Sequence, residues 1–299
     1  MNLDNFNKYR HYFNKQIELI IKKYSDADEL TNMIMYAIKG GKRLRPIITL
    51  DICASMIGNM EDVLLFSIAL ELIHTSCLII DDLPCMDNDN YRRNQLSFHK
   101  KYSIKLAQLI SSELINIAFK MINENFKNSE HFLIIIENIS KNLGIFGAAG
   151  GQFIDLNPIH MLDNKKEFVN HFKNKEVIKD LFYKKTTTFF EIGFIGGFLA
   201  GGGKTIKLDI LKEAAYHFGL AFQIYDDFDD IEQDSKRKDN NLPNPNYICN
   251  FGKTEAFNQF NNSIKIYKKN MEILDIYSET MKELTSFLMI KVKTKFKNI

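Results

Sequence analysis

Five prolines in 299 residues leave long uninterrupted runs. Within them apolar residues return every three or four positions, as in Phe66, Leu70, Ile73, Cys77 and Ile80, and again in Phe218, Phe222 and Tyr225. At 3.6 residues per turn such a series lines one face of a helix. Alternating patterns bounded by Asn-Gly or Asp-Gly, which would announce β-hairpins, are missing. The chain is therefore expected to be all-α, with about ten or more helices. Periodicity is interrupted at Gly40-Gly41, Pro84, Gly150-Gly151, Asn157-Pro158, Gly201-Gly202-Gly203 and the polar run 235–246. None of these has the composition of a flexible linker, so residues 1–299 are expected to form a single domain.

Composition removes several function classes. The chain is 45% apolar and 25% charged, ordinary for a globular protein. Its 39 Lys plus Arg against 37 Asp plus Glu leave a net charge of only +2, evenly spread, which gives no footprint for nucleic acid. Four cysteines without Cys-x-x-Cys spacing suit a reducing compartment. The amino terminus lacks the apolar core of a signal peptide and carries Asp4, so a cytoplasmic location is expected. The most apolar window, Leu64 to Ile80, contains Glu71 and His74 and falls short of the roughly 20 residues of a membrane span. No transmembrane segment is expected.

Two acid-rich clusters, DDLPCMDND and DDFDD, each follow a strongly apolar helix, about 145 residues apart. On an unbroken helix Asp81 and Asp87 would point about 120° apart, too divergent to share an ion. Pro84 biases Leu83 away from helix and can fold the chain back, so that Asp87 approaches Asp81 and Asp82. In the second cluster Gln223, Asp226, Asp227 and Asp230 keep i, i+3, i+4, i+7 register, on one face of one helix. Carboxylates so placed repel one another and call for a cation. An all-oxygen ligand set favours Mg²⁺, which completes its shell with water and substrate phosphate. Either cluster alone fits a solvated helix end; the two together suggest a held diphosphate.

Cationic groups complete that picture. Lys42, Arg43 and Arg45 follow a Gly-Gly break at an expected helix start, and Arg92-Arg93 with His99 follow the first acidic cluster. Helix N-termini and guanidinium forks both suit phosphate. His74 lies two turns before Asp81, where a structural histidine is the plain alternative. Gln152 and Asp155 share a helical face, as a polar lining or a hydrogen-bonded core pair. Lys185-Thr186 opens a segment whose Gly193, Gly196, Gly197 and Ala200 would let helices approach closely, around an apolar pocket or simply in a tight core.

Taken in order, GGKRLRP, DDLPCMDND with YRR, GGQFIDL, KT with Glu191, GLAFQIYDDFDD and RKD resemble the trans-prenyltransferases, the family of farnesyl and geranylgeranyl diphosphate synthases. The resemblance implies helices around a deep central cavity, in a homodimer, acting on prenyl diphosphates. It implies that Asp81, Asp82, Asp87, Asp226, Asp227 and Asp230 hold Mg²⁺, three ions per site, gripping an allylic diphosphate assisted by Arg92, Lys185, Thr186, Gln223 and Lys238. It assigns isopentenyl diphosphate to Lys42, Arg45, His74 and Arg93. Of these, Asp81, Asp82, Lys185 and Asp226 are the groups expected closest to the chemistry, ionisation of the allylic carbon–oxygen bond followed by condensation and proton loss.

The chain departs from the family pattern at Ile80, Asn94, Ser97, Arg237 and Asn244. In the family, the positions four and five before the first Asp floor the chain pocket. Here they are Cys77 and Ser76, both small, which favours a twenty-carbon over a fifteen-carbon product. A class I terpene cyclase and a catalytically silent partner subunit are the alternatives. The first needs no GGKRLRP segment, and the second usually loses one acidic cluster.

Overall fold

In a computed structural model, residues 3–25, 27–56, 58–156, 173–236 and 245–298 are described. Among the described residues the regular structure is helical apart from one two-stranded ribbon, as the periodicity predicts. Contacts group them into two compact units, one of Asp4–Leu133 with Gly196–Gly203, the other chiefly of Ile134–Ile195 and Lys204–Ile299.

The first unit holds α1 (Asp4–Ile21), α2 (Asp28–Ile38), α3 (Leu44–Ala54), α4 (Leu64–Asp81), α5 (Phe98–Lys101) and α6 (Ile104–Phe126). Helix α4 is its core element, with Leu64, Phe66, Ile68, Ala69, Leu70, Leu72, Ile73 and Ile79 buried. It packs most extensively on α6, whose Ala107, Ile110, Leu114, Ile117, Ala118 and Met121 form the matching stripe. Asn59 starts α4's approach with a capping box against Asp62, and the Ser103 hydroxyl accepts the Leu106 amide to start α6. Gly196 and Gly197 are where a neighbouring helix crosses this core. A Cβ on Gly196 would sit 1.9 Å from the Phe66 ring, and one on Gly197 2.4 Å from the Thr49 carbonyl oxygen. Of the two readings of these small residues, tight core packing is the one realised there.

The second unit holds α7 (Phe132–Leu143), α8 (Ala148–Leu156), α9 (Lys175–Phe182), α10 (Thr188–Ala200), α11 (Leu208–Lys236), α12 (Tyr247–Phe251), α13 (Lys253–Ile273) and α14 (Glu279–Asn298), with the first two residues of α7 and the last turn of α10 counted in the first unit. Its core is aromatic. Phe218 of α11 meets Phe190 edge-on at 5.0 Å and Tyr267 of α13 at 5.1 Å, geometry worth more than area burial alone.

Two described stretches are apolar and long enough to cross a membrane by composition, Met60–Asp81 and Phe132–Asp155. The first is the core helix just described. The second is broken by a turn at 144–147.

The ribbon was not foreseen. Tyr91–Arg92 (β1) and Gln95–Leu96 (β2) pair antiparallel through Arg93 and Asn94, at φ 53° and 61°. Two left-handed residues make the turn that matches strand twist, and its usual sequence marker is glycine. Asn94 is the side chain that tolerates this conformation best, so the departure at this position keeps the turn. Asn94→Val is expected to cost about 1–2 kcal/mol in urea denaturation, whereas Asn94→Gly should leave stability unchanged.

Candidate active site

The first acidic cluster is built by the reversal that Pro84 was expected to cause. Helix α4 ends at Asp81, and Asp82 caps it, its amide donating to Leu78 O at 3.1 Å. The chain then turns. The amides of Met86 and Asn88 both donate to Leu83 O, and that of Asp87 donates to Asp81 O at 2.9 Å. Asp87 is thereby returned to the end of α4, with Asp87 exposed and Asp81 half-buried.

Asp82 has a different fate. It is 2% exposed, and Arg92 donates to its Oδ1 through Nε at 2.8 Å and through Nη2. The same Nη2 reaches Asp89 Oδ2 at 3.0 Å. Burial lifts the Asp82 carboxyl above its ordinary range against the pull of Arg92. Two groups assigned separate tasks by the sequence reading thus hold each other. Among the described residues no three His, Cys, Asp or Glu side chains are gathered closely enough to bind a metal unaided. Asp81 and Asp87 offer two oxygen donors, the number from which Mg²⁺ is usually held when water and phosphate complete its shell.

The basic segment divides in the same way. Gly40 at φ +77° and Arg43 at φ 60° bend the chain into α3. Arg43 is 5% exposed; it donates to Glu71 Oε1 at 2.6 Å, to Asn14 Oδ1 at 3.0 Å and to Ile38 O. Arg93 Nη2 lies 3.5 Å from the same Glu71 oxygen. A Cβ on Gly41 would stand 2.7 Å from both Arg43 Nη1 and Glu71 Oε1, so only glycine leaves room for the pair. The sequence reading took Arg43 as one more phosphate group and passed over Glu71. The signal was the lone carboxylate inside an apolar helix. Lys42 is exposed.

Arg45 Nη1 lies 3.3 Å from His74 Nε2. A guanidinium only donates, so Nε2 is the acceptor and Nδ1 carries the proton. Burial, then the charge of Arg45, Arg93, Arg92 and Arg43, hold His74 well below its ordinary pKa and keep it neutral. The unfolded chain therefore takes up a proton near pH 6.5 that the folded one refuses, and stability falls as pH drops below that value. His99 and His217 are depressed too. His74→Gln should flatten part of this acid-side loss in denaturation curves taken between pH 7 and pH 5.

Ser76, assigned to the pocket floor, lies in the α4–α6 seam, its hydroxyl 2.8 Å from Ser111 Oγ and 3.0 Å from Ser111 O. Cys77 beside it is more accessible, and burial pushes its thiol up to about 12, leaving a neutral apolar group.

In the second unit Gln223, Asp226, Asp227 and Asp230 all fall on α11. Asp227 is 6% exposed, accepting from Gln223 Nε2 at 3.1 Å and from the Tyr247 amide at 2.7 Å, so it anchors the start of α12. Asn246 and Tyr247 were missed because they lie 19 and 20 residues further along the chain without any motif. Asp226 is half-buried. Asp229 pairs with Lys295 at 3.1 Å. The Asp230 side chain and the whole of Lys238, Arg237 and Asn244 lie outside the described residues. Lys185 donates to Asp155 Oδ2, and Thr186 Oγ1 to Gln223 Oε1 at 2.7 Å. Both sit on a five-residue π turn, Tyr183–Thr187, which joins α9 to α10. Gln152 is half-buried.

The profile of the polyprenyl synthetase family matches residues 27–243. A farnesyl diphosphate synthase of Micrococcus luteus is 35% identical over 227 residues, 75% of this chain and 74% of that one. A geranylgeranyl diphosphate synthase of Cyanophora paradoxa is 38% identical over 66% of this chain and 64% of its own length, so this chain matches less than two thirds of that relative. Among solved structures, an FPP/GFPP synthase from Zymomonas mobilis superposes with a TM-score of 0.80 at 25% identity, covering 97% of this chain and 100% of that one. A geranyltranstransferase from Thermotoga maritima does so with a TM-score of 0.75 at 24% identity, covering 99% and 100%. The fold is that of these all-α synthases.

Proposed function

This chain belongs to the polyprenyl synthetase family, and we propose that it is a short-chain trans-prenyltransferase, joining isopentenyl diphosphate to an allylic diphosphate. The observation that carries this is the closed turn from Asp81 to Asp87, with the Asp82–Arg92 pair fixing it from inside. In this reading Asp81, Asp87 and Asp226 are the Mg²⁺ ligands, with Asp82 and Asp227 as the groups that hold their segments in place, and Asp230 and Lys238 as further contacts to the allylic diphosphate. The number of ions, three, is part of the proposal, as are a homodimer, a cytoplasmic location and one functional domain over residues 1–299.

Bound Mg²⁺ would supply positive charge against the negative charge that develops on the diphosphate as the allylic carbon–oxygen bond ionises. The chain's own groups do the rest. Lys185 and Thr186 hold the allylic diphosphate, and Arg92 keeps Asp82 in place. Lys42, Arg45, Arg93 and neutral His74 hold isopentenyl diphosphate, His74 offering a hydrogen bond without adding charge. Its double bond attacks the allylic cation, and the released proton leaves with the diphosphate. No protein nucleophile is needed. Water must be kept from the allylic cation, which it would otherwise quench.

The test is incorporation of labelled isopentenyl diphosphate with dimethylallyl, geranyl and farnesyl diphosphates in turn, with and without Mg²⁺, followed by chromatography of the products. Mg²⁺-dependent prenyl diphosphates are expected. No incorporation by folded protein would reject the synthase reading in favour of a silent subunit, and cyclic hydrocarbons formed without isopentenyl diphosphate would point to a cyclase. Twenty carbons are the expected product length, because Cys77 and Ser76 are small. Since Ser76 is committed to Ser111, the sharper variant is Cys77→Tyr, which should shorten the product; an unchanged profile rejects the floor assignment.

A further inference from the structure

Glu191 is a buried carboxylate whose partners are all neutral. It is 3% exposed, with Oε1 accepting from Asn138 Nδ2 at 2.9 Å and Asn142 Nδ2 at 3.1 Å, and Oε2 from the Tyr183 hydroxyl at 3.1 Å. Burying a carboxylate with neutral donors is costly, so its position calls for a task. Glu191 lies in the first turn of α10, beyond the π turn that carries Lys185 and Thr186, and Tyr183 is the first residue of that turn.

The spacing explains the link. On a regular helix, eight residues turn through about 800°, which leaves Tyr183 and Glu191 about 80° out of line. A π turn absorbs one extra residue, so the same eight positions turn through about 700° and the two side chains come within about 20° of one face. The Tyr183–Glu191 bond and the π turn therefore require each other. From the opposite side the turn is pressed against α11. A Cβ on Gly219 would lie 2.3 Å from Thr187 Oγ1, and Thr186 is tied to Gln223.

We propose that Glu191 is a positioning residue which, through Tyr183, locks the π turn and so fixes where Lys185 and Thr186 stand; their use on an allylic diphosphate rests on the prenyltransferase reading above. Asn138 and Asn142 of α7 are the supports that hold Glu191 at the correct height. The device acts on one substrate only, since Lys185 and Thr186 are both assigned to the allylic diphosphate.

Tyr183→Phe removes a single oxygen and is the variant least able to disturb the fold; Glu191→Gln keeps size and removes the charge. Two readouts are taken on the full chain. Amide hydrogen exchange over residues 183–188 should run about tenfold faster in both variants, with thermal midpoints close to the parent. Steady-state kinetics should show the KM for the allylic diphosphate raised about tenfold, one lost hydrogen bond's worth, with the KM for isopentenyl diphosphate within about twofold of the parent. Unchanged exchange in both variants overturns the proposal. So does an equal rise of both KM values together with a lowered thermal midpoint, because that is the mark of a merely structural residue. If the parent enzyme forms no prenyl diphosphate, the function reading falls while the exchange rates still decide whether Glu191 holds the turn.

Discussion

Replacing Glu71 with alanine should destabilise the folded protein by about 3–5 kcal/mol, the usual result of removing one partner from a buried ion pair. Glu71 and Arg43 are 2% and 5% exposed and 2.6 Å apart, and Arg93 Nη2 stands 3.5 Å from the same oxygen. Without the carboxylate the two guanidiniums lose the charge that bridges them. Burial already works against the charge of Arg93, with Glu71 opposing that loss. Arg43 and Arg93 each hold a left-handed backbone, conformations that cost about 1–3 kcal/mol and persist only when surroundings enforce them. The glycine loop before α3 and the ribbon after the acidic turn should therefore loosen together. At about 2–4 °C per kcal/mol for chains of this size the thermal midpoint should drop by roughly 10 °C. Glu71→Gln, which keeps an acceptor, should fall between. A loss under about 1 kcal/mol would mean that the arginines find solvent in the variant.

The helices were legible because a 3.6-residue period needs only local sequence, and the fold-back at Pro84 was legible because proline restricts its neighbour. What the sequence does not encode locally is which polar group pairs with which. Asp82 and Arg92 both looked like ligands for an external partner, and the structure joins them. Asp227 looked like one of three equivalent carboxylates, yet Tyr247, 20 residues on, claims it. Arg93-Asn94 lacks the glycine that marks a tight hairpin, so the ribbon went unseen. The π turn leaves no compositional trace at all; its only mark is that Tyr183 and Glu191 are eight apart and bonded. Glu71 and Glu191 did carry a signal, a lone charge in an otherwise apolar helix, without any hint of the partner.

The different settings of Asp82, buried against Arg92, and of half-buried Asp81 set the largest expected functional effect. Asp81→Asn should lower turnover by about 10³-fold, equivalent to about 4 kcal/mol of transition-state stabilisation, and should raise the Mg²⁺ concentration needed for half-maximal rate. Asp82→Asn should behave differently. It weakens a buried pair with Arg92 and leaves the Asp87-to-Asp81 backbone bond in place, so turnover should fall by only about tenfold, with the Mg²⁺ dependence unmoved. The comparison must be run as Mg²⁺ titrations at saturating substrates, since rate alone cannot separate a missing ligand from a displaced one. If Asp82→Asn shifts the Mg²⁺ curve and Asp81→Asn does not, Arg92 yields Asp82 to the metal during turnover, and the assignment of the two carboxylates is reversed.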